Sequence, residues 1–395
     1  MIMRIRTRAA LLGAAAALLL VPSAFPATAQ QSDARLLGSY VVPHDLQVGG
    51  TPVGGLSSID YDRRSGDFVF VSDDWSDYAP ARYYRAEISV TERGIDDVDF
   101  TEVHQFRRPD GRTYPTIDTW RDEQHSVPRA ARNVLGTVDP EELRVDPLTG
   151  AVAWTNEGQR NVAPDGSARG AVLLDPALRV STRDGRYVRD LPTAPNEKMT
   201  TGGSGPRVNE TFEGLAYTSD GSRLLSALEG PLEQDGPSAN ADHGAFSRIT
   251  VHDRAGRPIA QHAYPVEPLF AAPQPPNDWN TNGISSLLAG DAPDRFLALE
   301  RGYATGVGTK GRIYEFSTAG ADDVLNRDSL AGGGFRPVRK ELVADLDEIG
   351  LPHTDNVEGL SWGPRLPSGE RVLLVVSDNN FSPHQQTQLI AIAIR

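Results

Sequence analysis

The sequence predicts an all-β fold, a single β-propeller of five or six blades. Three observations carry that prediction: a repeat running the length of the chain, a high density of turn formers, and strand-like runs at both ends. Five segments share one layout of a small or acidic residue, glycine, an apolar strand, a turn, a second apolar strand and a closing acid. They read "GGLSSIDYDRRSGDFVFVSDD" (54–74), "EELRVDPLTGAVAWTNEG" (141–158), "EGLAYTSDGSRLLSALEG" (213–230), "NGISSLLAGDAPDRFLALERG" (282–302) and "EGLSWGPRLPSGERVLLVVSDNN" (358–380). Their spacing of roughly 70–90 residues exceeds the about 40–50 of compact propeller repeats, and the surplus fits long loops.

Each segment reads as a hairpin. "FVFVS", "AVAWT" and "FLALE" are β-rich runs of strand length, and the turns "RRSGD", "PLTG", "SDGS" and "PSGE" carry glycine near the tip, as tight connections require. Between hairpins, "RITVHDRAG" (248–256) and "GRIYEFST" (311–318) supply further strands that complete four-stranded blades. "ARLLGSYVV" (34–42) and "QLIAIAIR" (388–395) lie at opposite chain ends; placed in one blade, they close the ring and remove its free sheet edges. A solenoid or a pair of sandwiches is the alternative. "TAPNEKMTTGGSGP" (193–206) and "AAPQPPNDWN" (271–280) read as surface loops, and residues 30–395 form one domain.

Composition narrows the chemistry. The 395 residues contain 38 Gly and 29 Pro, which favours many short strands over long helices. A net charge of −14 makes nucleic acid and anionic membranes poor partners and a cation a natural one. With no cysteine, disulfides, thiolate metal sites and a cysteine nucleophile are excluded. Residues 1–29 read as a secretory signal: Arg4, Arg6 and Arg8 precede a short apolar core, and "ATA" at 27–29 precedes a cut near Ala29. An uncleaved anchor is the alternative. Beyond residue 30 no stretch is apolar for long enough to span a bilayer, so the expectation is a secreted, soluble monomer.

In a hairpin the start of the first strand lies beside the end of the second. The repeat thus pairs Glu141 with Glu157, Glu213 with Glu229, Glu358 with Asp378, Asn282 with Glu300, and Gly54 with Asp73. If these hairpins are the inner strands of the blades, Asp73, Glu141, Glu157, Glu213, Glu229, Glu300, Glu358 and Asp378 ring one mouth of the central channel. Clustered carboxylates in a low-dielectric channel cannot all remain ionised unaided. Ca²⁺ resolves this, since it takes six to eight oxygen ligands; the eight His show no zinc spacing such as HExxH. Gly214, Gly283 and Gly359 would let backbones approach closely at the rim. The alternative is that these acids are solvated or cap turns between blades.

The phrases "ETFEGLAYTSDGSRLLSALEG", "NGISSL…FLALERGYATGVGTKGRIYEF" and "DNVEGLSWGP…LLVVSDNNF" resemble the family described as having esterase-like activity of phytase, over most of residues 50–381. The resemblance implies a propeller, with six blades favoured, acidic metal-binding residues, and hydrolysis of phosphate or other esters. It carries over Glu213, Glu229, Glu300, Arg301, Glu358 and Asp378, with Glu213, Glu358 and Glu300 as catalytic candidates. The chain departs from the pattern at Glu142, where other repeats have glycine, and at Gly54, where others have an acid.

Arg301, Lys310 and Arg312 could hold a phosphate by bidentate or point-charge contacts; Arg301 could equally bridge two ring carboxylates. "HQFRRPDGR" (104–112) is a second basic patch, a substrate lid or a solvated loop. There is no G-x-S-x-G elbow, and Ser204 in "TGGSGP" has the wrong spacing. The serines of "GLSS" and "GISS" suggest structural hydrogen bonding inside blades, and His353 and His384 read as loop histidines or acid–base groups. The expectation is a secreted Ca²⁺-dependent ester hydrolase acting on a small ester or phosphoester, with no organic cofactor. A non-catalytic Ca²⁺-stabilised binding module and a calcium-dependent lactonase-like propeller are the alternatives.

Overall fold

The computed structural model describes residues 34–161 and 171–395; the expected signal segment, 1–29, lies outside them. Among the described residues, five four-stranded antiparallel sheets follow one another. Blade I comprises Asp60–Asp62, Asp67–Ser72, Arg82–Thr91 and Gly94–Gln105. Blade II is built from Pro140–Val145, Val152–Asn156, Ala177–Ser181 and Tyr187–Leu191. Phe212–Tyr217, Leu224–Leu228, Ala245–His252 and Pro258–Val266 form blade III. Blade IV takes Asn280–Ala289, Arg295–Ala304, Gly308–Ser317 and Arg339–Asp345. Blade V combines Asn356–Arg365, Arg371–Asp378 and Gln388–Ile394 with the first strand of the chain, Ala34–Val41.

The ring closes as the terminal strands predict. Ala34 pairs with Ile394 and Val41 with Gln388, so the C-terminal strand is covered and the first strand of the chain becomes the outer strand of blade V. The first strands of the five blades contact one another around the channel: I with II, II with III, III with IV, IV with V, and V with I.

Side chains alternate between the two faces of a strand, and the inner strands are buried at nearly every position because both faces of a blade pack on a neighbour. The result is five apolar clusters, one per interface. Val71 and Tyr83 meet Leu143 and Trp154 between blades I and II. Leu178 meets Phe212 and Leu228 between II and III. Ile249 and Tyr264 meet Ile284 and Phe296 between III and IV. Leu299 and Ile313 meet Val357 and Val375 between IV and V, and Phe68 and Phe70 meet Leu374 and Leu389 across the closing seam. Five interfaces between five sheets correct the six-blade preference. The extra length that seemed to leave room for a sixth sheet goes into loops.

Those loops are distributed unequally. First-to-second strand turns are short and sit at one end of the barrel, with glycine in the left-handed region at the tip, as at Gly221 (φ 67°). The blade-to-blade connections lie at the other end. They include residues 106–139, which carry the helix Ile117–Glu123, capped by the Thr116 side chain. That helix buries Trp120 against Val172 and Leu174. Long loops gathered on one face of a rigid ring mark the face that carries function. Among the described residues no helix is long and apolar enough to cross a membrane.

Candidate metal centre

The site is built from two recurring positions, one in blades II to V and the other in all five blades. One is a β-bulge on the inner strand: the pairing register skips Glu213 between Phe212 and Gly214, and Glu358 between Val357 and Gly359. Blade II bulges between Pro140 and Leu143, at Glu141 and Glu142, and blade IV skips Ser285. A bulge re-aims its extra side chain, here toward the channel mouth. The second position ends the neighbouring strand: Asp73, Glu157, Glu229 and Asp378, with Arg301 in blade IV.

Asp139, Glu141, Glu157, Glu213, Glu229, Glu358 and Asp378 are all buried, each at most 6 % exposed, and Asp73 is partly buried. Carboxylate oxygens of Asp73, Asp139 and Glu141 lie within 4.8 Å of one another. Arg301 is the cation inside this group. Its guanidinium donates to Glu229 Oε1 at 2.8 Å and Asn356 Oδ1 at 2.6 Å, and stands 3.3 Å from Glu358 Oε1.

Hydrogen bonds hold the acids in place. Between blades, Glu157 accepts the Thr211 N–H at 2.9 Å and Glu141 accepts the Ser57 hydroxyl at 2.8 Å; within blade V, Glu358 accepts the Asn356 amide at 2.7 Å. Gly359 permits the close approach: a Cβ there would lie 2.8 Å from the backbone at Ser58 and Ile59 of blade I.

Four oxygens are left over. Asp73 Oδ1, Asp139 Oδ1, Glu213 Oε2 and Glu358 Oε2 are buried with no hydrogen-bond donor among the described residues. Buried anions without donors are costly, and the titration of the group records it. Burial first, then mutual repulsion, raises Asp139, Glu141, Glu213 and Asp378 well above the ordinary carboxylate range. Glu157 is pushed up to about 8, and Glu229 and Glu358 to about 7 because Arg301 opposes the burial. All-oxygen donors, clustered and lacking protons to accept, are the chemistry of a hard-cation site.

The channel floor separates this mouth from the other. Arg144, on the inner strand of blade II, reaches across to the carbonyls of Ile59 (2.6 Å), Leu215 (2.8 Å) and Leu287 (2.6 Å) and to Glu142 (3.1 Å). Glu142 in turn accepts the Ser286 hydroxyl at 2.6 Å and is pushed up to about 8 by burial, against the pull of Arg144. Beside the acids, a cavity of about 340 Å³ is lined by Glu157, Trp75, Asp77, Ile117, Met199 and Val208. Trp75, Ser76, Asn209, Asn380 and Phe381, all on loops of this face, hold positive φ without being glycine, a strain that concentrates at working sites.

A family model for phytase-like proteins, described as esterase-like activity of phytase, matches residues 51–381. The chain belongs to the phytase-like family. No curated protein matches it. Among solved structures, the periplasmic gluconolactonase of Pseudomonas aeruginosa is similar at 11 % identity, over 91 % of this chain and 96 % of that one, with a TM-score of 0.34. An N-acetylgalactosamine deacetylase from F. plautii, in complex with blood group B trisaccharide, is similar at 11 % identity over 92 % and 95 %, with a TM-score of 0.43. Likenesses this distant do not bear on the activity of the phytase-like chain.

Of the eight acids expected at the mouth of this phytase-like propeller, the structure gathers seven. Glu300 is elsewhere. Register pairs it with Ile284, and Asn282 with Gly302, which corrects the expected Asn282–Glu300 pair. A shift of one residue reverses the face of a strand. It is therefore Arg301 that aligns with Glu229 and Asp378, while Glu300 points between blades III and IV. There it meets Lys340, the Tyr264 hydroxyl at 2.8 Å and the Glu267 N–H at 3.1 Å.

The cationic candidates are engaged. Lys310 and Arg312 both bind Asp345, at 3.0 and 3.2 Å, and Arg301 bridges ring carboxylates. His353 sits 3.5 Å from Asp355, while Ser204 and His384 are exposed. The repeated serines bond across blade interfaces rather than within blades: Ser58 accepts the Leu143 N–H, and Ser285 donates to the Val357 carbonyl. Sequence reasoning missed Asp139. It stands two residues before Glu141, as Asn356 stands before Glu358 and Thr211 before Glu213, and that shared offset is the signal that finds it.

Proposed function

We propose that this phytase-like propeller is a Ca²⁺-dependent ester hydrolase that acts at the acidic mouth on small phosphoesters ahead of carboxylic esters. One observation carries the reading: four buried carboxylate oxygens with no donor, converging on one channel mouth. Asp73, Asp139 and Glu141 would hold the ion, with Glu213, Glu358 and Asp378 around it. A bound Ca²⁺ would offset the clustered charge, polarise an ester oxygen and make a ligated water more acidic.

The chain's own groups supply the rest. Glu358 Oε2 has no donor, which leaves it free to take and release a proton. Glu213 Oε2 is the second such group. Arg301 acts as a positioning residue, fixing Glu229 and Glu358 from one side. The apolar walls of the neighbouring cavity, Trp75, Ile117 and Met199, would take the non-reacting part of a substrate and exclude water.

A second reading has its own support. Thr211 and Ser57 use two of the same acids, Glu157 and Glu141, as latches between blades, so a cation there could serve only to stiffen the ring. Chromogenic phosphate monoesters, diesters and acyl esters, assayed with Ca²⁺ and with chelator, separate the two. Turnover that is lost in chelator and falls at least about 100-fold in Glu213→Gln supports the hydrolase. A Ca²⁺-dependent rise in melting temperature with no turnover on any substrate leaves the stiffening role.

A further inference from the structure

The channel has a second mouth, at the end where the hairpin turns lie, sealed from the acids by Arg144. It opens into a cleft of about 480 Å³ lined by the inner strands of all five blades, within the about 300–1,000 Å³ of small-molecule sites. Its charge is of the opposite kind. Every carboxylate lining it already has a guanidinium: Asp60 has Arg144 at 3.5 Å, Asp62 has Arg85 at 2.6 Å and also Arg183, Asp146 has Arg254 at 2.6 Å, and Asp291 has Arg371.

The arginines are not all so matched. Among the described residues Arg63 makes no ion pair or hydrogen bond, and Arg365 reaches only the Gly369 carbonyl of its own turn at 3.2 Å. Both are exposed. Both also stand near enough to Arg371 to depress its pKa by repulsion, after the larger effect of burial. In a chain of net charge −14, two exposed guanidinium groups that line one cleft without a carboxylate partner are a place for an anion.

The same cleft presents ring surface. Trp362 is fixed by its indole N–H to the Ala289 carbonyl at 2.7 Å and carries the Arg371 guanidinium 3.5 Å over its ring. Tyr61, beside Arg63, is 38 % exposed.

We propose that this far mouth binds a small anion carrying an aromatic ring, its oxyanion held by Arg63 and Arg365 and its ring against Tyr61 and Trp362. The site is independent of the acidic mouth and of any hydrolytic role. Calorimetric titration of the full chain in chelator, with phenyl phosphate and with benzoate, tests it. Both ringed anions bind, while inorganic phosphate and benzyl alcohol bind at least about tenfold more weakly, because each lacks one half of the recognition. Arg63→Gln combined with Arg365→Gln weakens the ringed anions by at least tenfold, single Arg63→Gln weakens them by less, and Glu213→Gln leaves them unchanged. Absence of heat at millimolar phenyl phosphate and benzoate overturns the proposal. So does unchanged affinity in the double variant, or loss of binding in Glu213→Gln, which would move the ligand to the other mouth. None of these results depends on turnover, so hydrolysis at the acidic mouth stands or falls separately.

Discussion

Glu213 shows what each mouth residue contributes. One of its oxygens is buried with no donor, and its proton affinity is raised by burial and then by Glu229, Glu157 and Glu358. In the absence of a cation, this side chain is a liability to the fold. Glu213→Gln keeps the shape and removes the charge. It is expected to raise the melting temperature in chelator by a few degrees, on the order of 1 kcal/mol, and to reduce the further rise on adding Ca²⁺. Differential scanning calorimetry of both proteins, with Ca²⁺ and with chelator, measures this. A variant that melts lower than the parent in chelator would show that Glu213 is compensated inside the protein. At this scale the sequence was legible where acids precede glycine in "FEGL" and "VEGL", because in both the bulged residue is the acid and glycine follows it. It misled at "LERG": Glu300 matches the other repeats by letter, and Arg301 matches them by register.

The element that defines the ring is the first strand of the chain. Ala34–Val41 pairs along its length with Gln388–Ile394 and adds Leu36, Leu37 and Tyr40 to the clusters on both sides of blade V. Without it, a strand of composition "QLIAIAI" would present an unpaired apolar edge to other molecules. A chain beginning at Val42 is expected to aggregate on refolding, and a peptide spanning residues 32–43, added in trans, is expected to restore a soluble species. Size-exclusion chromatography and far-ultraviolet circular dichroism report both. A soluble, folded truncation would mean that the other three strands of blade V suffice. Alternating apolar patterns and glycine turns made the strands of this blade readable in the sequence, and the terminal pair suggested closure. The blade count was not readable from spacing, because the interval between repeats sums strand and loop length. Only the five interblade clusters separate the two. Asp139 was hidden for a related reason: it lies outside the repeated phrase, on the connection that enters blade II, and the ring brings it to Asp73 of blade I.

Across the whole molecule, charge is divided between the two mouths, and that division gives a pH dependence of definite sign. In the folded state Glu157 titrates at about 8, and Glu229 and Glu358 at about 7; unfolded, each would titrate near 4.3. Between those values the folded protein holds protons that the unfolded chain has released, so stability falls as pH rises through that window. Each unit of displacement corresponds to about 1.4 kcal/mol, and several acids share it. In chelator the melting temperature is therefore expected to drop by several degrees from pH 5 to pH 8. Cation binding requires the ionised form, so Ca²⁺ should raise the melting temperature little at pH 5 and most at pH 8, reversing the slope. Neighbouring Arg301 limits the effect without abolishing it, since one guanidinium faces eight carboxylates. Melting curves at four pH values, with Ca²⁺ and with chelator, decide the matter. Equal stability at pH 5 and pH 8 in chelator, unmoved by Ca²⁺, would mean that hydrogen bonds between blades compensate the acids in full and that the mouth needs no cation.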